Sequence, residues 1–362
     1  MVVSLQNEAT IFYYTTPKMN KTTIAILSAI ALTACNAPTQ QQNEEYIKEE
    51  GFIFGTTYHI TYKHHKSLQE QMLKKLREYD NSLSTYNPNS TISKINRNED
   101  TELDTLFVNV YNKAREIYEL SGQRFDITVR PLSQLWRFTN GHSDTISIAT
   151  FDSIMSKVDS VKSFIGLNKT SIIDNKLVKA DPRITLEAAA LAEGYGIDIA
   201  ASVFEENGVS DYMVELGGEL HLKGLNPNGR KWRISIDRPD EGSNEFNHTS
   251  QCIISVSNCA VSTSGSYRQF YYTADGHRLQ HTINPLTGRP VEHGLLSVTV
   301  VGPNTITTDA LSTTFMILGP DEAYELAQSL PNIEAYFIFE DKEGNRHETM
   351  TEGFKKLLVS PK

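Results

Sequence analysis

Asp309, Ser312 and Thr313 stand at i, i+3 and i+4 in TDALSTTFMIL, a spacing that sets one carboxylate and two hydroxyls on one face of a helix's first turn. Hard oxygen donors of this kind suit Mg²⁺, which takes few protein oxygens and completes its shell with water and phosphate. The same residues also read as a helix N-cap, with Asp309 or Thr308 accepting backbone N–H bonds. A cation at a helix start is opposed by the dipole unless an anion lies beside it, so a metal here requires a diphosphate-like neighbour. Ser262-Thr263-Ser264-Gly265-Ser266 offers hydroxyls and pliable backbone for such an anion, or an ordinary polar loop between strands. His281 precedes the turn-forming pair Asn284-Pro285, which puts it at a strand end as the candidate general base among ten histidines. Glu187 and Glu193 bracket an alanine run ahead of Gly194-Tyr195-Gly196. They suit ribose or base donors, or a solvated face. Gly-x-Gly without its full spacing is no dinucleotide fingerprint. Gly217-Gly218 in VELGGEL marks a bulge, a close backbone approach to a ligand, or a strand kink.

The elements that must position these groups follow from periodicity. FIFGTTYHITYK alternates as a strand from about Gly51, and Leu68, Met72, Leu73, Leu76 and Tyr79 then share one helix face. A second amphipathic helix is expected over roughly Asp104 to Leu120, and another over Phe151 to Phe164. A hairpin is expected around Asp174-Asn175. ITLEAAALAEGYGIDIAASVFEENG reads as a strand continuing into a helix that stops at Asn207-Gly208. Four strand-like runs follow, then a helix starting near Thr308 or Asp309 and a last one after Pro320. Strands in the middle flanked by helices give an α+β class with largely antiparallel sheets.

With 362 residues, 39% apolar, the chain can bury a sizeable core. A net charge of −10 argues against a nucleic-acid partner, which would need clustered Lys and Arg. From Met19, a candidate start, Lys21 is followed by an apolar run from Ile24 to Leu32 and by Thr33-Ala34-Cys35. This is an export signal too short for a flanked spanning helix. Ending at cysteine, it resembles a bacterial lipobox, which implies cleavage before Cys35 and lipid on its thiol. The expected organisation is a signal over 1–35, a flexible tether over 36–50 and a folded domain over 51–362. Cys252 and Cys259 are either paired or free and carry no catalytic expectation.

Taken in order, FGT at Phe54, LSTY ending at Tyr86, FDITV at Phe125, AEGYGID at Ala192, VELGGE at Val214, STSGSYR at Ser262, HTINPLTGRP at His281 and TDALST at Thr308 resemble the ApbE family, the FAD:protein FMN transferases. The resemblance runs from about Gly51 to the C-terminus and implies a two-lobed α+β protein, a periplasmic lipoprotein that binds FAD between its lobes with Mg²⁺ on the diphosphate. It assigns the metal to Asp309, Thr313, Ser312 and the carbonyl of Ala190. Flavin and adenosine contacts fall on Phe54, Tyr86, Arg124, Phe125, Asp126, Glu187, Glu193 and Ile283, and the base on His281. Phe54 stands where Met is usual, Glu187 and Asn284 where Asp is usual, Arg130 where Gly is usual, and Ser312 where an acid sometimes sits. The implied reaction is transfer of FMN from FAD to a Thr or Ser hydroxyl of an acceptor protein, with AMP leaving. The alternatives are FAD pyrophosphatase activity and a non-catalytic flavin-binding lipoprotein. The family's acceptors are exported redox proteins, such as flavin-carrying subunits of the sodium-pumping NADH:quinone oxidoreductase or Rnf complexes.

Overall fold

Strand Glu45–Ile53 pairs antiparallel with Thr56–His64, in register from Glu45↔His64 to Ile53↔Thr56. Phe54 and Gly55 join them, both at positive φ (55° and 84°), the turn geometry that matches strand twist. The computed structural model describes residues 45–136, 145–240, 249–267, 270–274, 276 and 278–359. The lipidation expectation at Cys35 lies outside the described residues. Because the first strand starts at Glu45, residues 45–50 belong to the sheet rather than to a tether.

That hairpin opens an eight-stranded sheet. The order continues through Tyr212–Leu216, Glu219–Lys223, Cys259–Gly265, Leu295–Gly302, Glu334–Glu340 and Arg346–Met350, every neighbouring pair antiparallel. All eight residues of Leu295–Gly302 are buried, as expected of a central strand covered on both faces. On one face lie helices Gln69–Leu83, Ala189–Glu206 and Thr305–Leu318, which bury Leu76, Ile197, Phe204 and Phe315. On the other, hairpin Trp232–Asp237/Ser250–Val256 and Phe354 close a smaller core around Leu222, Ile254 and Tyr336. The α+β class and the antiparallel sheet agree with the sequence reading.

Several local expectations are corrected. Ile184 to Ala188 form no strand; the segment is tied by Glu187 N–H donating to Ile127 O at 2.7 Å, and the helix begins at Ala189. The helix expected from Phe151 begins at Ile148, capped by Ser147. Ser262 to Gly265 are not a loop but part of a sheet strand, paired Ser262↔Val300 to Gly265↔Ser297. Gly217 and Gly218, both at positive φ, are neither bulge nor kink but the turn joining two neighbouring strands. Cys252 and Cys259 are free thiols, each pushed up to about 11 by burial.

Candidate active site

The helix carrying Asp309 starts at Thr305, not at Thr308 or Asp309. Asn304 caps it through its side chain, which accepts the Thr307 N–H at 3.2 Å. Asp198, from the neighbouring helix, accepts the Thr305 and Ile306 N–H groups at 2.8 and 2.9 Å. The orphan amides of the first turn are thus met by other residues. Asp309 is not a cap and lies one turn inside, where the dipole opposes a cation less.

Asp309 is buried between its own helix and Ala189–Glu206. The two helices meet at Gly194, where an added Cβ would come within 2.4 Å of the Thr305 carbonyl and 2.8 Å of Asp309 Cβ. Only glycine permits that approach, and it lets the Gly194 N–H donate to Asp309 Oδ2 at 2.9 Å.

Glu219, at the exit of the Gly217-Gly218 turn, sends its carboxyl into the same enclosure, within hydrogen-bonding reach of Asp309 and Ser262. Its Oε2 is sealed from solvent and meets no N–H or O–H donor. Burial raises the proton affinity of both acids; the charges of Asp309 and Glu193 raise Glu219 further, whereas at Asp309 the Gly194 N–H and the contact with Glu219 act in the opposite sense and Glu193 raises it. Glu193 itself is surface-accessible but set among protein atoms, and desolvation raises it too. A layer of hydroxyls adjoins the acids: Ser262 Oγ lies 2.8 Å from Thr308 Oγ1, and Ser264 Oγ lies 2.7 Å from Ser312 Oγ and 3.4 Å from Thr313 Oγ1. Thr313 stays half-buried while Ser312 is fully buried. Ala190 sits in the first turn of the Ala189–Glu206 helix.

An aromatic wall stands beside the acids. The Tyr79 hydroxyl donates to the Ala192 carbonyl, and its ring lies 5.3 Å from that of Phe54 and 6.3 Å from that of Tyr195. The charges of Glu193 and Asp309 add to burial in raising the Tyr79 hydroxyl, which places this wall against the carboxyls. Tyr86 is 97% exposed, so no protein packing holds its ring.

The other expected contacts have partners of their own. Arg124 pairs with Glu322 at 3.2 Å. Phe125 and Ile283 are buried in the large apolar core. Asp126 accepts Thr128 N and Oγ1, both at 2.7 Å, and Leu167 N at 3.2 Å, which pins one loop to another. Glu187 is half-buried and raised by desolvation, with Arg130 acting in the opposite sense. His281 is half-buried between strands Arg278–Gln280 and Ile283–Asn284. A cavity of about 1180 Å³, walled by Phe151, Leu279, His293 and Phe339, lies apart from the acids. Sequence reading missed Glu219 and Asp198; the signals available were the acid closing VELGGE and the one closing AEGYGID.

The donor set fits Mg²⁺: the buried Asp309 carboxyl and the partly buried Glu219, whose Oε2 is enclosed without a donor, beside a row of hydroxyls.

The sequence model of the ApbE family matches residues 54–337. An FAD:protein FMN transferase of Escherichia coli K12 is 32% identical over 358 residues, covering 94% of this chain and 98% of that protein. One of Vibrio cholerae is 31% identical over 344 residues, covering 92% and 98%. The solved flavin transferase ApbE of Vibrio cholerae superposes with a TM-score of 0.74 at 30% identity, covering 87% of this chain and all of that one. The apo flavinyl transferase ApbE of Pseudomonas stutzeri gives 0.72 at 28%, covering 88% and 98%. With the family model matching residues 54–337 and a relative 32% identical along 94% of its length, the chain belongs to the ApbE family.

Proposed function

We propose that this transferase moves the FMN half of FAD onto a Thr or Ser hydroxyl of an acceptor protein. The hydroxyl oxygen forms a bond to the FMN phosphorus, the diphosphate P–O bond breaks, and AMP leaves with the electron pair. The observation that carries the reading is the buried Asp309 with Glu219 beside it, on the helix that also carries Ser312 and Thr313 in contact with Ser264, next to the aromatic wall. Names of relatives at about 30% identity support the same activity. Asp309 and Thr313, with Ser312 and the Ala190 carbonyl, would hold Mg²⁺, which would supply charge neutralisation at the diphosphate. Phe54 and Tyr86 offer ring faces to the flavin, and Glu187 and Glu193 offer acceptors to polar edges of the nucleotide. His281 takes the proton of the attacking hydroxyl, an effect of about 10²–10⁴ in rate.

The same reading makes the protein an exported lipoprotein, fixed to a bacterial membrane through Cys35 and facing the periplasm. Its acceptors are flavin-carrying subunits of Nqr- or Rnf-type redox complexes. Among the described residues no helix is long and apolar enough to cross a membrane.

Incubation of the full chain with FAD, Mg²⁺ and an acceptor subunit is expected to leave a denaturation-resistant fluorescent band on the acceptor and free AMP. FMN and AMP released with no labelled acceptor would replace transfer with hydrolysis. Undiminished labelling by His281→Ala would remove the base assignment.

A further inference from the structure

Glu219 is given no individual part in the steps proposed above, yet its Oε2 is enclosed without a donor in the neighbourhood of Asp309. Its place is built rather than incidental. The Gly217-Gly218 turn is tied to the first hairpin by Gly217 N–H donating to Thr57 O at 3.1 Å, and Gly218 N–H donates to Glu215 Oε1 at 2.7 Å. The chain leaves that turn directly into strand Glu219–Lys223, locked by Glu219↔Leu216 and by Leu220↔Val261. The side chain therefore enters the enclosure from the sheet, whereas Asp309 enters it from the helix. Ser262 lies between the two elements, its hydroxyl bonded to Thr308 Oγ1 at 2.8 Å and within reach of Glu219.

Asp309 has one oxygen engaged by the Gly194 N–H, which holds the carboxyl at a single point. One hydrogen bond leaves rotation about the side chain's last torsion only partly restrained. A second contact from the opposite wall removes that freedom. We propose that Glu219 is a positioning residue for Asp309: it fixes, from the sheet side and with Ser262, which face of the Asp309 carboxyl meets a divalent cation. The inference rests on the proposed function, since it takes Asp309 as a cation-binding group. Groups that orient a metal-binding carboxylate typically contribute about 10–100-fold to metal affinity or activity.

The test titrates Mg²⁺ into the full-length wild type, Glu219→Ala, Glu219→Gln and Ser262→Ala with FAD present, reading flavin fluorescence and, separately, the Mg²⁺-dependent rise in Tm. Glu219→Ala is expected to raise the Mg²⁺ concentration at half-saturation about 10–100-fold. Glu219→Gln, which keeps size and hydrogen-bonding reach, is expected to stay within about threefold of wild type, an effect under 1 kcal/mol by the tenfold-per-1.4 rule. Ser262→Ala is expected to move in the same direction as Glu219→Ala by less, and serves if Glu219→Ala does not fold. Wild-type half-saturation in both Glu219→Ala and Ser262→Ala overturns the inference. So does a Glu219→Gln protein as weak as Glu219→Ala, because the acid itself and not its placement would then matter. A wild type that binds FAD but shows no response to Mg²⁺ by either readout overturns the functional reading, and this inference with it.

Discussion

The Gly194 amide and the Asp309 carboxylate are joined by a 2.9 Å hydrogen bond across two helices that touch at Gly194. A carboxylate with a raised pKa is thereby held at a point where no side chain could stand between the helices. Gly194→Ala is expected to lower stability by about 1–3 kcal/mol, because its methyl meets a backbone carbonyl rather than a movable side chain. Gly196→Ala, whose Cβ would touch Tyr79 and Phe54 at 3.6 to 3.8 Å, is expected to be neutral or stabilising by up to about 1 kcal/mol. Thermal unfolding of the two variants side by side checks the contrast.

Without a bound cation, stability should fall as pH rises. Asp309 is raised to about 8, chiefly by burial, from an ordinary value of 3.8. Between those values the folded state keeps a proton that the unfolded state has released, so each pH step favours unfolding. Denaturant midpoints measured in chelator from pH 5 to 8 should decline, and Asp309→Asn should flatten the decline.

Asp198 ties three elements together: it accepts the Thr305 and Ile306 amides and lies 2.8 Å from His221 Nδ1. Asp198→Ala strands two helix amides in a half-buried place and is expected to cost about 1–3 kcal/mol. Because the start of the Asp309 helix loosens with it, Mg²⁺ affinity should weaken as well, which calorimetric titration would show.

Phe54 holds a left-handed backbone, φ 55°, that a side chain adopts at a cost of about 1–2 kcal/mol. Phe54→Gly relieves that cost and removes the ring, so Tm should hold or rise while FAD affinity falls roughly 3- to 10-fold, the worth of one aromatic contact. A loss of both together would show that the ring serves folding instead.

Much of this arrangement was legible in sequence because it rests on local rules. The helix expected from about Asp104 runs from Thr105 with Asp104 as its cap, and the hairpin expected around Asp174-Asn175 turns there. The start of the Asp309 helix was not legible. Thr305-Ile306-Thr307 are β-branched and weak helix formers, and part of their capping comes from Asp198, 107 residues away. Ser262 to Gly265 look like a loop by composition but are held as a strand by pairing with the buried strand Leu295–Gly302. Glu219, an acid following two glycines, looks like any surface turn. Its enclosure depends on Ser262 and Asp309, which arrive from elements far along the chain.

The opening hairpin also sets a span. Each of its strands has nine residues, so Glu45 and the Phe54 turn sit at opposite ends of a rod about 30 Å long. That rod sets the distance between the Phe54 turn and the point at which the chain enters the sheet at Glu45. Removing two facing pairs at the turn end, Phe52/Thr57 and Ile53/Thr56, would shorten the rod by about 7 Å while leaving the remaining side chains on their faces.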